Sequence, residues 1–206
     1  GEGRGGGERS GEPMSGPAVV SVVGRSGSGK TSLLELLICH LTARGLAVGT
    51  VKHTSHGFLA DRPGKDSYRL YESGAASVAL ISRQQLAAFT RLSDETSPDV
   101  SLDTALASLA KGLDVVLVEG FSWEPIPRFV LVPESESPIP EHLSRGEVLG
   151  ILRIPAKPDG RKPSFSQSLV DAITGEIEQR VRHGGTNPPV DSGAGESEAD
   201  LSTGGR

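Results

Sequence analysis

The segment GRSGSGKT at residues 24–31 constrains this chain most, because it has the glycine spacing and the Lys-Thr ending of a phosphate-binding loop. AVVSVV at residues 18–23 comes directly before it and is typical of a buried strand. Leu33, Leu37 and Leu41 follow at intervals of four residues, which indicates a helix. A flexible Gly/Ser turn is the alternative, but both flanks match the context that the motif requires. The segment therefore predicts a nucleoside triphosphate site.

The residue types in this loop suit triphosphate oxygens for separate reasons. Glycines let backbone N–H groups converge on the oxygens, and the following helix adds free N–H groups and the positive end of its dipole. We expect the Lys30 ammonium to reach the β and γ phosphates and the Thr31 hydroxyl to bind Mg²⁺. The predicted nucleotide-binding residues are Gly24, Arg25, Ser26, Gly27, Ser28, Gly29, Lys30 and Thr31.

A magnesium site beside such a loop also needs a carboxylate on a neighbouring strand. Glu119 directly follows the apolar run VVLV and precedes Gly120. Its side chain is therefore expected at the carboxyl end of the sheet, where ligands bind in folds of this type. We assign Thr31 and Glu119 to the metal, and Lys30 and Glu119 to catalysis.

Strand-like and helix-like patterns alternate along the rest of the chain. Further strands are predicted at residues 46–51, 75–82, 113–118, 127–132 and 147–154. Helices are predicted at 101–112, at 166–182 and in a short segment capped by Asp66 or Ser67. This alternation predicts an α/β fold of the P-loop NTPase type, with a mainly parallel central sheet flanked by helices. The ends, residues 1–17 and 184–206, are predicted to be disordered, which leaves 18–183 as one nucleotide-binding domain.

The composition argues against several classes of function. A formal net charge of −5 provides no broad attraction to nucleic acid or to anionic lipid. No apolar run in the sequence approaches the length that spans a bilayer. Cys39 is the only cysteine, so neither an internal disulfide nor a cysteine-based zinc site is possible within the chain, and a cytoplasmic location is expected.

A polar segment, KHTSHGFLADRPGKDSYR at residues 52–69, follows the second predicted strand. A segment in this place lies beside the phosphate-binding loop, so its charged groups are expected to face phosphate, magnesium or an anionic second ligand. Structural zinc at the two histidines is the weaker reading, because their spacing alone is a poor zinc signature. The predicted residues of this adjoining loop are Lys52, His53, His56, Asp61, Gly64, Lys65 and Asp66.

Three blocks, GRSGSGKTSLLELLI, VKHTSHGFLADRPGKDSYRLYESGA and LVEGFSWEPIPR, together resemble the MobB family of molybdopterin-guanine dinucleotide biosynthesis proteins over residues 18–155. The resemblance implies a homodimer that binds GTP with Mg²⁺ and hydrolyses it weakly. It also implies an adaptor role beside the guanylyltransferase that attaches GMP to molybdopterin, with molybdopterin itself as a further candidate ligand. By matching motif, residues 24–31 bind the nucleotide and Glu119 binds magnesium.

Two other functions stay open from the residues alone. A small-molecule phosphotransferase uses the same kind of loop, although the sequence lacks the arginine-rich lid that would mark a nucleoside kinase. The second alternative is a binding module that holds a nucleotide without hydrolysing it. No NKxD-type guanine motif is present, so the choice of GTP over ATP rests on the resemblance.

Overall fold

The computed structural model describes residues 16–54, 56–59, 61–92, 101–155 and 163–184. Apart from residues 16, 17 and 184, the two termini predicted to be disordered lie outside these ranges. The extent of the domain over 18–183 therefore stays a prediction. None of the helices in the described ranges is both long and apolar enough to cross a membrane.

Strands and helices alternate through the described ranges. The strands are β1 (Ala18–Gly24), β2 (Val48–Lys52), β3 (Ser77–Ile81), β4 (Leu86–Thr90), β5 (Val115–Glu119), β6 (Arg128–Pro133) and β7 (Val148–Ile154). The α-helices are α1 (Lys30–Ala43), α2 (Asp66–Glu72), α3 (Leu102–Ala107) and α4 (Gln167–Arg182), and a short 3-10 helix spans Glu141–Leu143.

Five of the strands form one parallel sheet in the order β2-β5-β1-β6-β7, which confirms the predicted mainly parallel α/β fold. β1 lies in the middle and is buried along nearly its whole length, in keeping with a sequence that is apolar at every position from 18 to 23 except Ser21. β5 pairs directly with β1, and the register sets Glu119 opposite Val22. The loop of residues 24–31 and Glu119 consequently leave the sheet side by side.

Helices cover both faces of this sheet. Val20 and Val22 of β1 face α1 and α4, whose buried residues include Leu37 and Ile177. Val19 points the opposite way, because side chains alternate along a strand, and packs in a cluster with α3. The central strand is thus enclosed, and its carboxyl end is held in a fixed position.

β3 and β4 form a separate antiparallel hairpin outside the central sheet. The prediction at 75–82 located β3, but it missed β4. The sequence LAAFT of β4 carries few strand-favouring side chains, and the turn before it has no glycine, asparagine or aspartate. The Ser82 hydroxyl closes that turn, since it accepts hydrogen bonds from the N–H groups of Gln84 and Gln85.

Two helices begin or end differently from the prediction. Lys65 is the N-cap of α2 and makes no side-chain cap, so the assignment of Asp66 or Ser67 as the cap is wrong. The Ser67 hydroxyl is used elsewhere, as a donor to the Asp61 carboxylate. α3 is shorter than predicted because Ser108 turns its hydroxyl back to the carbonyl of Ala105 and ends the helix.

Arg128, the first residue of β6, holds the segment that follows Glu119. Its side chain is fully buried, and its guanidinium donates to the backbone carbonyls of Ser122, Glu124 and Ile126. Burial lowers the pKa of Arg128, and the nearby positive charge of Arg145 lowers it further. An arginine stays charged even so, and the three carbonyls act as its partners in place of a carboxylate. Arg128 therefore fixes the shape of residues 120–127.

We predict that Arg128→Met lowers the free energy of unfolding by about 3 kcal/mol, because three carbonyls, in one buried and two partly buried hydrogen bonds, lose their donor. Urea denaturation followed by circular dichroism measures this value. Arg145→Met is the matched control: Arg145 is exposed, and its replacement should change stability by less than about 0.5 kcal/mol. Equal losses in the two variants would contradict the role given to Arg128.

Candidate functional site

The loop of residues 24–31 joins β1 to α1 in a conformation that needs glycine at two positions. Gly24 has a φ of 152°, and a Cβ there would lie 2.4 Å from the carbonyl oxygen of Leu131. Gly29 has a φ of 94° at the N-cap of α1, and a Cβ would lie 2.8 Å from Pro163 Cγ. The loop thus passes close to Leu131 and Pro163 of the same chain. It leads directly into the N-terminus of α1, where backbone amide groups lack helical hydrogen-bond partners. This is the backbone arrangement on which phosphate groups bind.

Lys30 is the first residue of α1, and its side chain turns back over the loop. Nζ donates to the carbonyl oxygens of Gly24 at 2.9 Å and Arg25 at 2.8 Å. Burial lowers the pKa of Lys30; the Glu119 carboxylate opposes this shift, and the Lys52 ammonium adds to it. The ammonium is thereby held at the mouth of the loop.

Glu119, at the end of β5, connects two elements of the site. Its Oε2 accepts a hydrogen bond of 2.9 Å from Thr31 Oγ1, and its Oε1 lies 3.2 Å from Lys52 Nζ. Lys52 stands opposite Glu119 in the register of β2 and β5, so the strand pairing itself sets up this ion pair. Only 13% of the Glu119 side chain is exposed, and the carboxylate is therefore shielded from solvent.

The donors at this point suit Mg²⁺. Magnesium prefers oxygen ligands, and in nucleotide sites it takes one or two from the protein and the others from phosphates and water. The Thr31 hydroxyl and the Glu119 carboxylate are such oxygens and already touch each other. Across the described ranges, no group of three or more histidine, cysteine, aspartate or glutamate side chains is placed to hold a metal ion.

His53 belongs to an aromatic cluster at the edge of the site. Its ring meets Phe121 and Trp123 edge to face, with centroid distances of 5.2 and 4.8 Å, and its backbone N–H donates to the carbonyl of Glu119 at 2.9 Å. Phe121 has a positive φ of 52° and follows Gly120, whose φ is 95°. This sharp turn brings the segment after β5 against the end of β2. The cluster therefore fixes the backbone that follows Glu119 against the end of β2.

The other predicted residues of the adjoining loop lie farther along it. The carbonyl of His56 accepts from the Thr54 hydroxyl, and Gly64 turns the chain with a φ of 88°. Asp66 is exposed and lies 3.7 Å from Arg69. No polar contact among the described residues joins the side chains of this outer part to Glu119. The outer residues are His56, Asp61, Lys65 and Asp66.

An ion pair on the opposite side of the loop was not predicted. Arg25 Nη2 lies 3.0 Å from Glu136 Oε1, and Arg153 Nη1 donates to the carbonyl of Glu136 at 2.8 Å. Glu136 follows β6, the strand that pairs with the other side of β1. No sequence motif marks Glu136, because its ion pair with Arg25 depends on the strand order and not on the spacing of nearby residues.

The Asp61 carboxylate supplies a test of the adjoining loop. The hydrogen bond from Ser67 is the main cause that holds the pKa of Asp61 below its usual value, and the N–H of Arg62 adds to it. We predict that Ser67→Ala raises the pKa of Asp61 toward the ordinary value of about 3.9, as measured by NMR titration of the carboxyl carbon.

The sign of the accompanying stability change follows from the lowered pKa. The contribution of Asp61 to folding is present above its unfolded pKa and is lost as the pH falls through its folded pKa. The difference in free energy of unfolding between wild type and Ser67→Ala should therefore narrow below about pH 4. Ser73→Ala, in which a hydroxyl bonded to the Arg69 carbonyl is removed, is the control and should leave the pKa of Asp61 unchanged. An unchanged Asp61 pKa in Ser67→Ala would contradict the assignment.

Comparison with known proteins places the site in a family. A family model described as molybdopterin guanine dinucleotide synthesis protein B matches residues 19–152. Relatives from Haemophilus influenzae and Escherichia coli, both named molybdopterin-guanine dinucleotide biosynthesis adapter protein, are each 43% identical to this chain. The Haemophilus alignment covers 60% of this chain and 68% of the relative, and the Escherichia alignment covers 57% and 67%.

Solved structures agree with the sequence matches. A crystal structure of molybdopterin-guanine biosynthesis protein B superposes with a TM-score of 0.59 at 33% identity and covers 80% of this chain and 99% of its own. A MobB homologue from Bacillus stearothermophilus superposes with a TM-score of 0.55 at 29% identity and covers 80% and 98%. The region that the family model matches contains the loop of residues 24–31, β5 and the segment after β5. The chain belongs to the MobB family of molybdopterin-guanine dinucleotide synthesis proteins.

Proposed function

We propose that this chain is a GTP-binding adaptor that assists a guanylyltransferase in attaching GMP to molybdopterin in the cytoplasm. The observation that carries the proposal is the contact of Thr31 with Glu119 directly beside a phosphate-binding loop. The names of the Haemophilus and Escherichia relatives support the biosynthetic role. Guanine is chosen over adenine because the product named for those relatives contains guanine.

In this proposal the loop amides of residues 24–31 and the Lys30 ammonium bind the triphosphate. The two carbonyl contacts of Lys30 are exchanged for β and γ phosphate oxygens, which are stronger acceptors because they are charged. Mg²⁺, when bound, neutralises developing charge on the phosphates. Thr31 would give it a hydroxyl ligand, and the Glu119 carboxylate would bind it through a water molecule. Lys52 keeps the Glu119 carboxylate oriented through the ion pair.

Hydrolysis at such a site is slow. Fast phosphoryl transfer needs a residue that orients the attacking water and a cation that meets the γ phosphate, commonly a glutamine and an arginine. Among the described residues, the polar side-chain contacts of Lys30, Thr31 and Glu119 include neither. Arg25, the nearest arginine in sequence, is engaged with Glu136. Lys30 would stabilise charge on the phosphates, but the site lacks the groups that orient the attacking water and meet the γ phosphate among its described contacts. A site of this kind fits an adaptor that holds GTP and hydrolyses it weakly.

The proposed homodimer is formed through the β3–β4 hairpin. Its tip carries Leu80, Ile81 and Leu86, with exposed fractions of 40%, 84% and 71%. A two-stranded hairpin is marginally stable alone, and burial of this tip against a second copy would stabilise it.

We predict that wild type binds Mg-GTP more tightly than Mg-ATP, and that Lys30→Ala weakens Mg-GTP binding about 100-fold, or about 2.7 kcal/mol. The lost affinity reflects removal of the ammonium that faces the β and γ phosphates. Isothermal titration calorimetry measures both nucleotides on both proteins. Lys111→Ala is the control and should bind like wild type, because Lys111 is exposed and lies before β5, at the opposite end of the parallel strands from the loop.

A second readout separates the adaptor from a phosphotransferase. Purified guanylyltransferase, molybdopterin and Mg-GTP should form more dinucleotide product when wild type is present, and Lys30→Ala should fail to add this increment. Tighter binding of ATP, together with transfer of labelled phosphate to an added metabolite, would overturn the adaptor proposal in favour of a phosphotransferase.

A further inference from the structure

The side chain of Arg25, in the loop of residues 24–31, is held by a carboxylate on the opposite side of β1 from Glu119. Arg25 Nη2 lies 3.0 Å from Glu136 Oε1. The two side chains differ in exposure, with 69% of Arg25 and only 12% of Glu136 open to solvent. The roles argued above for this loop use the backbone of Arg25 and leave its side chain without a function.

The carboxylate of Glu136 is only half satisfied by this ion pair. Its Oε2 is buried and accepts no hydrogen bond from the residues that the structure describes. A buried acceptor without a donor raises the free energy of the arrangement. A second guanidinium is close by, since Arg153 Nη1 donates to the backbone carbonyl of Glu136 at 2.8 Å. Glu136 thus has another arginine at hand that can take its carboxylate when Arg25 leaves.

A released Arg25 side chain can reach the phosphates of a bound nucleotide. The carbonyl oxygen of Arg25 lies 2.8 Å from Lys30 Nζ, which faces the β and γ phosphates in the proposed function. A guanidinium on a stem of three methylene groups spans more than that distance. An arginine that meets the γ phosphate is the cation that fast phosphoryl transfer needs. The resting site therefore has such an arginine within reach, but the Glu136 carboxylate holds it.

We propose that the Arg25–Glu136 ion pair is a latch that holds Arg25 away from the γ phosphate, and that Arg25 accelerates GTP hydrolysis once the latch opens. The inference rests on the proposed function, because it requires GTP in the loop. Arg25 is then a catalytic residue, and Glu136 is a positioning residue that restrains it. Slow hydrolysis in the resting protein follows from the closed latch.

The reaction that Arg25 accelerates is the attack of water on the γ phosphate. The water oxygen bonds to the γ phosphorus while the bond from that phosphorus to the β–γ bridging oxygen breaks. GDP leaves with the electron pair, one water proton stays on the released phosphate, and the other passes to solvent. The Arg25 guanidinium donates hydrogen bonds to the γ and bridging oxygens, which carry the negative charge in the transition state.

Glu136→Gln tests the latch, because it removes the charge that holds the guanidinium with little change in shape. With GTP and Mg²⁺ bound to excess protein, the first turnover in Glu136→Gln should be at least about tenfold faster than in wild type, as measured by release of labelled phosphate. Glu134→Gln is the matched control, since it makes the same change at an exposed position two residues earlier. It should keep the wild-type rate.

Arg25→Ala identifies the group that the latch releases. Combined with Glu136→Gln, it should remove the acceleration completely. Mg-GDP with aluminium fluoride, a mimic of the γ phosphoryl group during transfer, gives a second readout that needs no turnover. Calorimetry should show that Glu136→Gln binds this mimic at least about tenfold more tightly than wild type does, because a transition-state mimic gains from a transition-state contact. The double variant should lose this gain as well.

Three outcomes would overturn the latch: a wild-type rate in folded Glu136→Gln, acceleration that persists in the double variant, or equal acceleration in Glu134→Gln. Glu136→Ala removes both carboxylate oxygens and repeats the test should Glu136→Gln fail to fold. Titration of wild type with Mg-GTP separates this inference from the proposed function. Binding of GTP without acceleration in Glu136→Gln would overturn the latch alone, whereas absence of GTP binding would overturn the proposed function and the latch with it.

Discussion

The parallel pairing of β5 between β1 and β2 is the constraint on which the site depends. It sets Glu119 opposite Val22 on one side and Lys52 on the other. The carboxylate of Glu119 is thus delivered to Thr31 and Lys52 by backbone hydrogen bonds and not by side-chain flexibility. The ion pair is thus a consequence of the strand pairing, which places the Cα atoms of Lys52 and Glu119 opposite each other.

The segment after β5 shows how the fold holds this carboxylate in place. Gly120 turns sharply enough to bring Phe121 and Trp123 against the ring of His53. The buried guanidinium of Arg128 donates hydrogen bonds to three backbone carbonyls of the same segment. Apolar packing on one side and charge-assisted hydrogen bonds on the other leave the chain little freedom, which keeps a binding site preorganised.

Local determinants explain what the sequence could predict. Glycine spacing located the loop at 24–31, and the run VVLV located Glu119, because both signals lie within a few residues. The ion pair of Arg25 with Glu136 could not be read in this way, because it joins distant segments through the strand order. The bonds of Arg128 to the carbonyls of Ser122, Glu124 and Ile126 are local, but they depend on the turn after β5 and carry no sequence motif. β4 escaped prediction because its small residues form a strand through pairing with β3 and not by propensity.

The most direct test of the account is the magnesium dependence of GTP binding in Glu119→Gln. The protein is titrated with GTP once in the presence of Mg²⁺ and once in the presence of EDTA, and the ratio of the two affinities is the gain that the metal provides. Glu72→Gln, a substitution at an exposed position of α2, is the control. We expect that Glu119→Gln loses at least tenfold of this gain, whereas Glu72→Gln keeps it. An unchanged gain in Glu119→Gln would contradict the central claim that Thr31 and Glu119 form the magnesium site.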